Sequence, residues 1–257
     1  MKPAWLMLFA LLGSALSPQT ADTLHAVPIP KEPHHHLVLE NEYVRVFRVS
    51  VPAHEATLLH QHDVPYLYMA LGPADVINAV QGKPEAHLVM ADGQLGYSPG
   101  HFAHIARNES NAPFNNVTVE LLHPQGEPRN LCEKIVDAPL NTNNCPAADS
   151  SAAVTALSKL VWLKRLLETD DILAVSKSLT IKSVDTEAGA RRARLLIACD
   201  QAEFRVELPG EPSTSLHGGE ILWLNPGRTA AITNLVEHGA SRYLVLAFKD
   251  KDDARNP

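Results

Sequence analysis

Between Leu37 and Leu122 the chain is broken every few residues by Pro, Gly, Asn or Asp, and the pieces between are short runs of β-branched and alternating residues: YVRVFRVSV, YLYMALG, HLVMADG and NVTVELL. Alternation puts successive side chains on opposite faces, so each run suits an antiparallel strand with one face turned to a core. No helix-length periodic segment interrupts them. This arrangement predicts a sandwich or barrel of short strands, and the 19 prolines, punctuating strands at their ends, agree with it. A Pro- and Asn-rich stretch from Pro124 to about Ser151 then breaks the pattern and reads as a linker. After it, AAVTALSKLVWLKRLLE fits either of two elements. One is an amphipathic helix carrying Val154, Leu157, Leu160, Val161 and Leu167 on one face; the other is the lead-in strand of a second half.

The second half looks like the first. Leu39-Glu40-Asn41-Glu42 precedes YVRVFRVSV much as Leu167-Glu168-Thr169-Asp170 precedes DILAVSKSLTI. GQLGYSPGHFAH resembles GEILWLNPGRTAA, with Pro99 against Pro226, and FNNVTVELL matches SRYLVLAFK. Anchors with nearly equal separations point to a tandem duplication, and 257 residues suffice for two cores. The expected layout is a signal peptide over 1–21, a first barrel over 30–124, a linker over 125–151 and a second barrel over 152–250.

The signal reading rests on Met1-Lys2, the apolar run AWLMLFALLGSA and the polar SPQTADT, with cleavage after Ala15 or Ala21. A periplasmic or secreted protein is therefore expected, with no membrane association once the signal is gone. In such a compartment Cys132 and Cys145 could close the linker as a disulfide, leaving Cys199 as a core thiol. The net charge of -7 and the lack of a basic cluster argue against a nucleic-acid surface.

The chemistry sits in the first half. In His60-Gln61-His62 the two imidazoles are two residues apart, so on a strand both point into one interior. His104 follows a turn at Pro99-Gly100 and could bring a third imidazole to the same point. Three neutral imidazoles suit a divalent transition metal with open positions; Fe(II), Mn, Zn and Ni are all compatible.

These residues resemble the cupin superfamily, known by the motifs G-x5-H-x-H-x3,4-E-x6-G and G-x5-P-x-G-x2-H-x3-N. The second motif is met by Gly93, Pro99, His104 and Asn108, with His101 in place of the middle glycine. The first is met by His60 and His62, with His54 where glycine is usual and Gly72 one residue early. The resemblance implies two tandem cupin-type (jelly-roll) β-barrels, the metal held by His60, His62 and His104. It also marks a departure, because the position of the glutamate ligand falls on Tyr66 or Leu67. Neither Glu55 nor Asp63 occupies the matching place. Similar cupins without the glutamate include iron dioxygenases of thiols and aromatics. Tyr66 and Tyr68 are the candidate catalytic residues, as phenols near the metal, against ordinary packing on a barrel strand.

His34, His35 and His36 read as a loop run with at most adventitious metal contact, and His54 and His101 as residues at the barrel mouth. The second half keeps the frame without the imidazoles: Ala231 stands where His104 would, and Arg191, Arg192 and Arg194 read as a solvated strand edge. The expected function is an exported metal-binding protein acting on a small molecule, as a dioxygenase or isomerase. The alternatives are a non-catalytic binding or sensing barrel and a structural barrel pair. The second half would stabilise, cap or dimerise the first, with a homodimer left open.

Overall fold

The computed structural model describes residues 25–131, 161–189 and 191–249, and it is all β apart from one 3-10 turn at Ile29–Lys31. The expected signal peptide and the Cys132–Cys145 pair lie outside the described residues. The first half contains β1 (Val27–Pro28), β2 (His35–Glu40), β3 (Val44–Val51), β4 (His60–His62), β5 (Tyr66–Leu71), β6 (Ala74–Val80), β7 (Ala86–Met90), β8 (Leu95–Ser98), β9 (Phe102–Asn108) and β10 (Phe114–Leu121). They form two sheets, ordered β1-β4-β9-β6-β7 and β2-β3-β10-β5-β8. All of these pairings are antiparallel except β1 with β4, which is parallel and sets Val27 beside His60.

The second half follows with β11 (Arg129–Asn130), β12 (Val161–Glu168), β13 (Ile172–Leu179), β14 (Val184–Glu187), β15 (Arg194–Ala198), β16 (Glu203–Glu207), β17 (Thr214–His217), β18 (Ile221–Leu224), β19 (Ala230–Asn234) and β20 (Ser241–Phe248). Its sheets run β11-β12-β13-β20-β15-β18 and β14-β19-β16-β17. Without the short edge strands β1 and β11, this order repeats that of the first half strand for strand. Strand β11 comes from residues expected to be linker and pairs with β12.

Val161–Glu168 is a strand, so the helical reading fails over those residues. A bulge between Arg165 and Leu167 shifts the alternation and buries both Leu166 and Leu167.

Among the described residues three apolar clusters form the core. One fills the space between the first two sheets with Phe47, Val49, Val51, Val76, Met90 and Phe114. Another does the same in the second half around Phe204, Ile232 and Tyr243. The largest lies between the halves, where Leu67, Met69, Val117, Val119 and Leu121 meet Ile172, Leu195, Ile197, Leu246 and Phe248. Along β5, β10, β15 and β20 the side chains alternate, one facing its own half and the next facing the other, whereas the bulged β12 turns both Leu166 and Leu167 into this cluster. Cys199 belongs to this cluster as a free thiol, and burial pushes it up to about 12. It is a packing residue, as expected.

Candidate metal centre

Strand alternation turns His60 and His62 of β4 inward together, and both are 1% exposed. The antiparallel register of β4 and β9 sets His104 directly opposite His60. Ring centroids of His104 lie 4.4 Å from His60 and 5.2 Å from His62. The structure therefore brings the three sequence-identified histidines together.

It also adds a fourth. His35, first residue of β2 in the opposing sheet, places its ring 4.7 Å from that of His60. One ring nitrogen from each of His35, His60 and His62 lies within 4.8 Å of the others. The reading of His34–His36 as a loop run is thus corrected. His34 is half-buried and His36 exposed, but His35 is buried because the strand begins there and the turn at Ile29–Lys31 folds the preceding chain back over β4. The available signal was Glu32, three residues before His35, in a segment bracketed by prolines.

Three of the four rings are oriented by a partner atom that accepts. Nδ1 of His60 meets the Leu58 carbonyl at 2.9 Å, Nδ1 of His104 meets Asn78 Oδ1 at 2.6 Å, and Nδ1 of His35 meets Glu32 Oε2 at 2.6 Å. These contacts put the proton on Nδ1 and the lone pair on Nε2, the arrangement that outer hydrogen bonds impose on metal-binding histidines. Nε2 of His60, Nε2 of His104 and Nδ1 of His62 are buried with no hydrogen-bond partner. Unpartnered buried nitrogens are costly in a protein interior, and a cation would satisfy them. By donor type and orientation, the residues fit a divalent transition metal.

No carboxylate replaces the missing glutamate on β5; Glu55 and Asp63 are exposed. Besides Glu32, a buried acid beside the cluster is Glu120 of β10, which faces Tyr66 across the sheet, 3.7 Å from His62 Nδ1 and 2.9 Å from Arg45 Nη2. Burial pushes Glu120 up to about 7, with Arg45 holding it partly down. Sequence reasoning missed it because within NVTVELL it is only one more alternating residue.

Tyr66 lies flat on His62, rings 4.0 Å apart at 19°, and its hydroxyl is bonded to Ser98. Burial raises this phenol far above its ordinary value, so at neutral pH it is protonated and holds the His62 ring in place. Tyr68 lines the cavity beside the imidazoles. That cavity, of about 60 Å³, is lined by the polar Tyr68, Asn116 and Thr118 and by the apolar Val76, Met90 and Phe102 as well as the imidazoles. His54 and His101 are not among its lining residues. Both adopt φ 61°, the left-handed region that explains glycine at those motif positions, and the His101 N–H donates to the His62 carbonyl at 2.6 Å.

In the second half the interior between the sheets holds ion pairs. Lys177 Nζ lies 2.8 Å from Asp185 Oδ2 and 2.5 Å from Glu187 Oε1, and the Tyr243 hydroxyl donates to Asp185 at 2.6 Å. Arg194 is buried, 3.3 Å from Glu187 and bonded to the Ala188 and Arg228 carbonyls, so it is no solvated edge residue. Ala231 pairs with Thr186 and Glu207. Among the described residues, no imidazole enters this interior.

The imidazole burial has a pH consequence. Burial, then the charge of His35, pushes His60 down to about 4, and burial with neighbouring histidines holds His62 and His104 well below their ordinary value. The folded metal-free protein keeps these rings neutral below pH 6.5, where the unfolded chain takes up protons, so unfolding gains protons and stability falls as pH drops from about 6.5 towards 4. Glu120 acts oppositely, since its raised value favours the folded state as pH falls through 7 to 4.5. One carboxyl offsets about one of three imidazoles. Denaturant midpoints of metal-free protein should therefore decrease from pH 6.5 to 4.5; a flat or rising series would contradict the burial argument.

No protein-family model and no curated protein matches this sequence. Solved structures of similar fold include a cupin 2 conserved barrel domain protein from Leptotrichia buccalis, 11% identical, with 84% of this chain and 88% of that one covered and a TM-score of 0.52. Salicylate 1,2-dioxygenase from Pseudaminobacter salicylatoxidans matches at 9% identity, 83% and 75% coverage and a TM-score of 0.56. AerE from Microcystis aeruginosa matches at 8% identity, 85% and 99% coverage and a TM-score of 0.55. At such low identity these likenesses speak for the fold alone.

Proposed function

Proceeding from a cupin-type fold with a buried imidazole cluster, we propose that this chain is an exported protein that holds one divalent transition metal on His60, His62 and His104 and acts on a small molecule in the adjoining cavity. The observation that carries this is the trio of buried ring nitrogens left without partners, while the opposite nitrogens of His60 and His104 are anchored and the His62 ring is stacked on Tyr66. When bound, the metal would supply Lewis acidity and, if redox-active, one-electron chemistry. Tyr66 keeps the His62 ring in orientation, and Asn78 does so for His104. Tyr68, Asn116 and Thr118 offer hydrogen bonds to a ligand's hydroxyl or carbonyl groups, while Val76, Met90 and Phe102 exclude water.

The cavity wall favours a neutral ligand. No Lys or Arg lines it among the described residues, so a substrate carboxylate would find no cation there besides the metal itself. The structures of salicylate 1,2-dioxygenase include gentisate complexes, and gentisate carries such a carboxylate. Dioxygenation or isomerisation of a small neutral hydroxy or carbonyl compound is the reading we adopt. We further propose that the chain is a tandem pair of cupin units whose second member carries no metal. Export rests on the order of charge, apolar core and small residues in 1–21.

Elemental analysis of the full chain purified without a histidine tag, together with oxygen uptake by Fe(II)-loaded protein on a panel of neutral and carboxylated phenols, tests this. We expect about one metal per chain and turnover confined to neutral compounds. Two metals per chain would misplace the site. Metal binding without turnover of any compound would favour the binding or sensing role.

A further inference from the structure

We propose that His35 is a metal ligand in its own right, set by Glu32, so that the centre is built of four imidazoles drawn from both sheets. This rests on the reading above that the cluster holds a metal.

A ring nitrogen of His35 lies within 4.8 Å of those of His60 and His62, and His35 lines the same cavity. Its anchor is a built one. Glu32 is 1% exposed; Oε2 meets His35 Nδ1 at 2.6 Å and the His34 N–H at 2.9 Å, and Oε1 accepts the Leu58 N–H at 3.1 Å. Leu58 in turn gives its carbonyl to His60 Nδ1, so one short segment fixes the orientation of both rings. The backbone contributes as well. Val27 pairs with His60 in the parallel β1–β4 ladder, and the Val27 N–H donates to the Leu59 carbonyl at 2.9 Å.

Ordinary core packing accounts for this poorly. A histidine that merely fills space beside Phe47 has no need of a buried carboxylate, whose removal from water is costly. A carboxylate that fixes the tautomer and direction of an imidazole is what a metal-binding histidine uses. With four neutral donors the ion keeps its full charge. A six-coordinate ion would retain two open positions, whereas a tetrahedral one would be closed, so the metal's preferred geometry decides whether a substrate can reach it.

The test uses the full, untagged chain stripped of metal and titrated with Co(II), with pulsed electron paramagnetic resonance of the Cu(II)-loaded protein counting coordinated imidazoles. Wild type should bind one ion with four imidazoles. His35→Ala should lose one imidazole and weaken Co(II) binding by about 100-fold or more. Glu32→Gln should weaken it by about 10- to 100-fold, the usual effect of losing an outer partner. If His35→Ala binds as wild type does, with the same imidazole count, the proposal is overturned while a centre on the other three histidines stands. Wild type that takes up no Co(II) overturns both readings. Should circular dichroism show His35→Ala unfolded, Glu32→Gln decides in its place, and wild-type affinity there overturns the proposal.

Discussion

Replacing His60 by Ala is expected to abolish measurable binding of divalent metal while leaving the metal-free protein folded. His60 is the hub of the cluster, its ring 4.7 Å from His35, 5.1 Å from His62 and 4.4 Å from His104. Its loss removes a ligand from three of the four sets of three that His35, His60, His62 and His104 allow, and from the group whose ring nitrogens lie within 4.8 Å of one another, so the effect should exceed the about 10- to 100-fold penalty of an outer-partner loss. Folding should survive, since the apolar clusters on either side of the first large sheet do not include His60. The readout is the stabilisation that metal confers. An ion at 100 times its dissociation constant adds about 2.7 kcal/mol to wild type by mass action, and should add nothing to the variant. Equal metal-dependent shifts in both proteins would show that the ion sits elsewhere.

Phe248→Ala should destabilise the protein by about 3–5 kcal/mol, a large part of the stability of an ordinary domain. Phe248 closes β20 at 1% exposure, with ring centroids 5.2 Å from Tyr43 and 5.3 Å from Trp223. Tyr43 belongs to the first half and Trp223 to the second, so truncating this ring opens a cavity where the halves meet. Because the largest apolar cluster is shared, denaturant unfolding should remain a single transition shifted as a whole. A cost below about 1 kcal/mol, or a separate early transition confined to the second half, would mean that the halves are stabilised independently.

What could be read without the structure follows from local periodicity. A strand repeats every two residues, so the inward pair His60 and His62 and the alternation of YVRVFRVSV were visible in the order of residues alone. His104 came from the spacing of a turn and an imidazole, and the antiparallel register then set it opposite His60. The all-β character and the repeated order of runs likewise needed no coordinates.

Burial and register had to come from tertiary structure, because they depend on pairings between distant segments. His35 looked like one of three equivalent histidines until a parallel pairing and a proline-bounded turn carried it onto β4. Glu120 became a neighbour of His62 only through the β10–β5 register that faces it with Tyr66. The segment Val161–Glu168 satisfied helical spacing and strand alternation alike, and its ladder with β13, bulged at Arg165, chose between them. Sequence therefore determined which residues could share a face, while long-range pairing decided which faces meet, since the free energy that buries an imidazole or a leucine arises only when a remote strand excludes water from it.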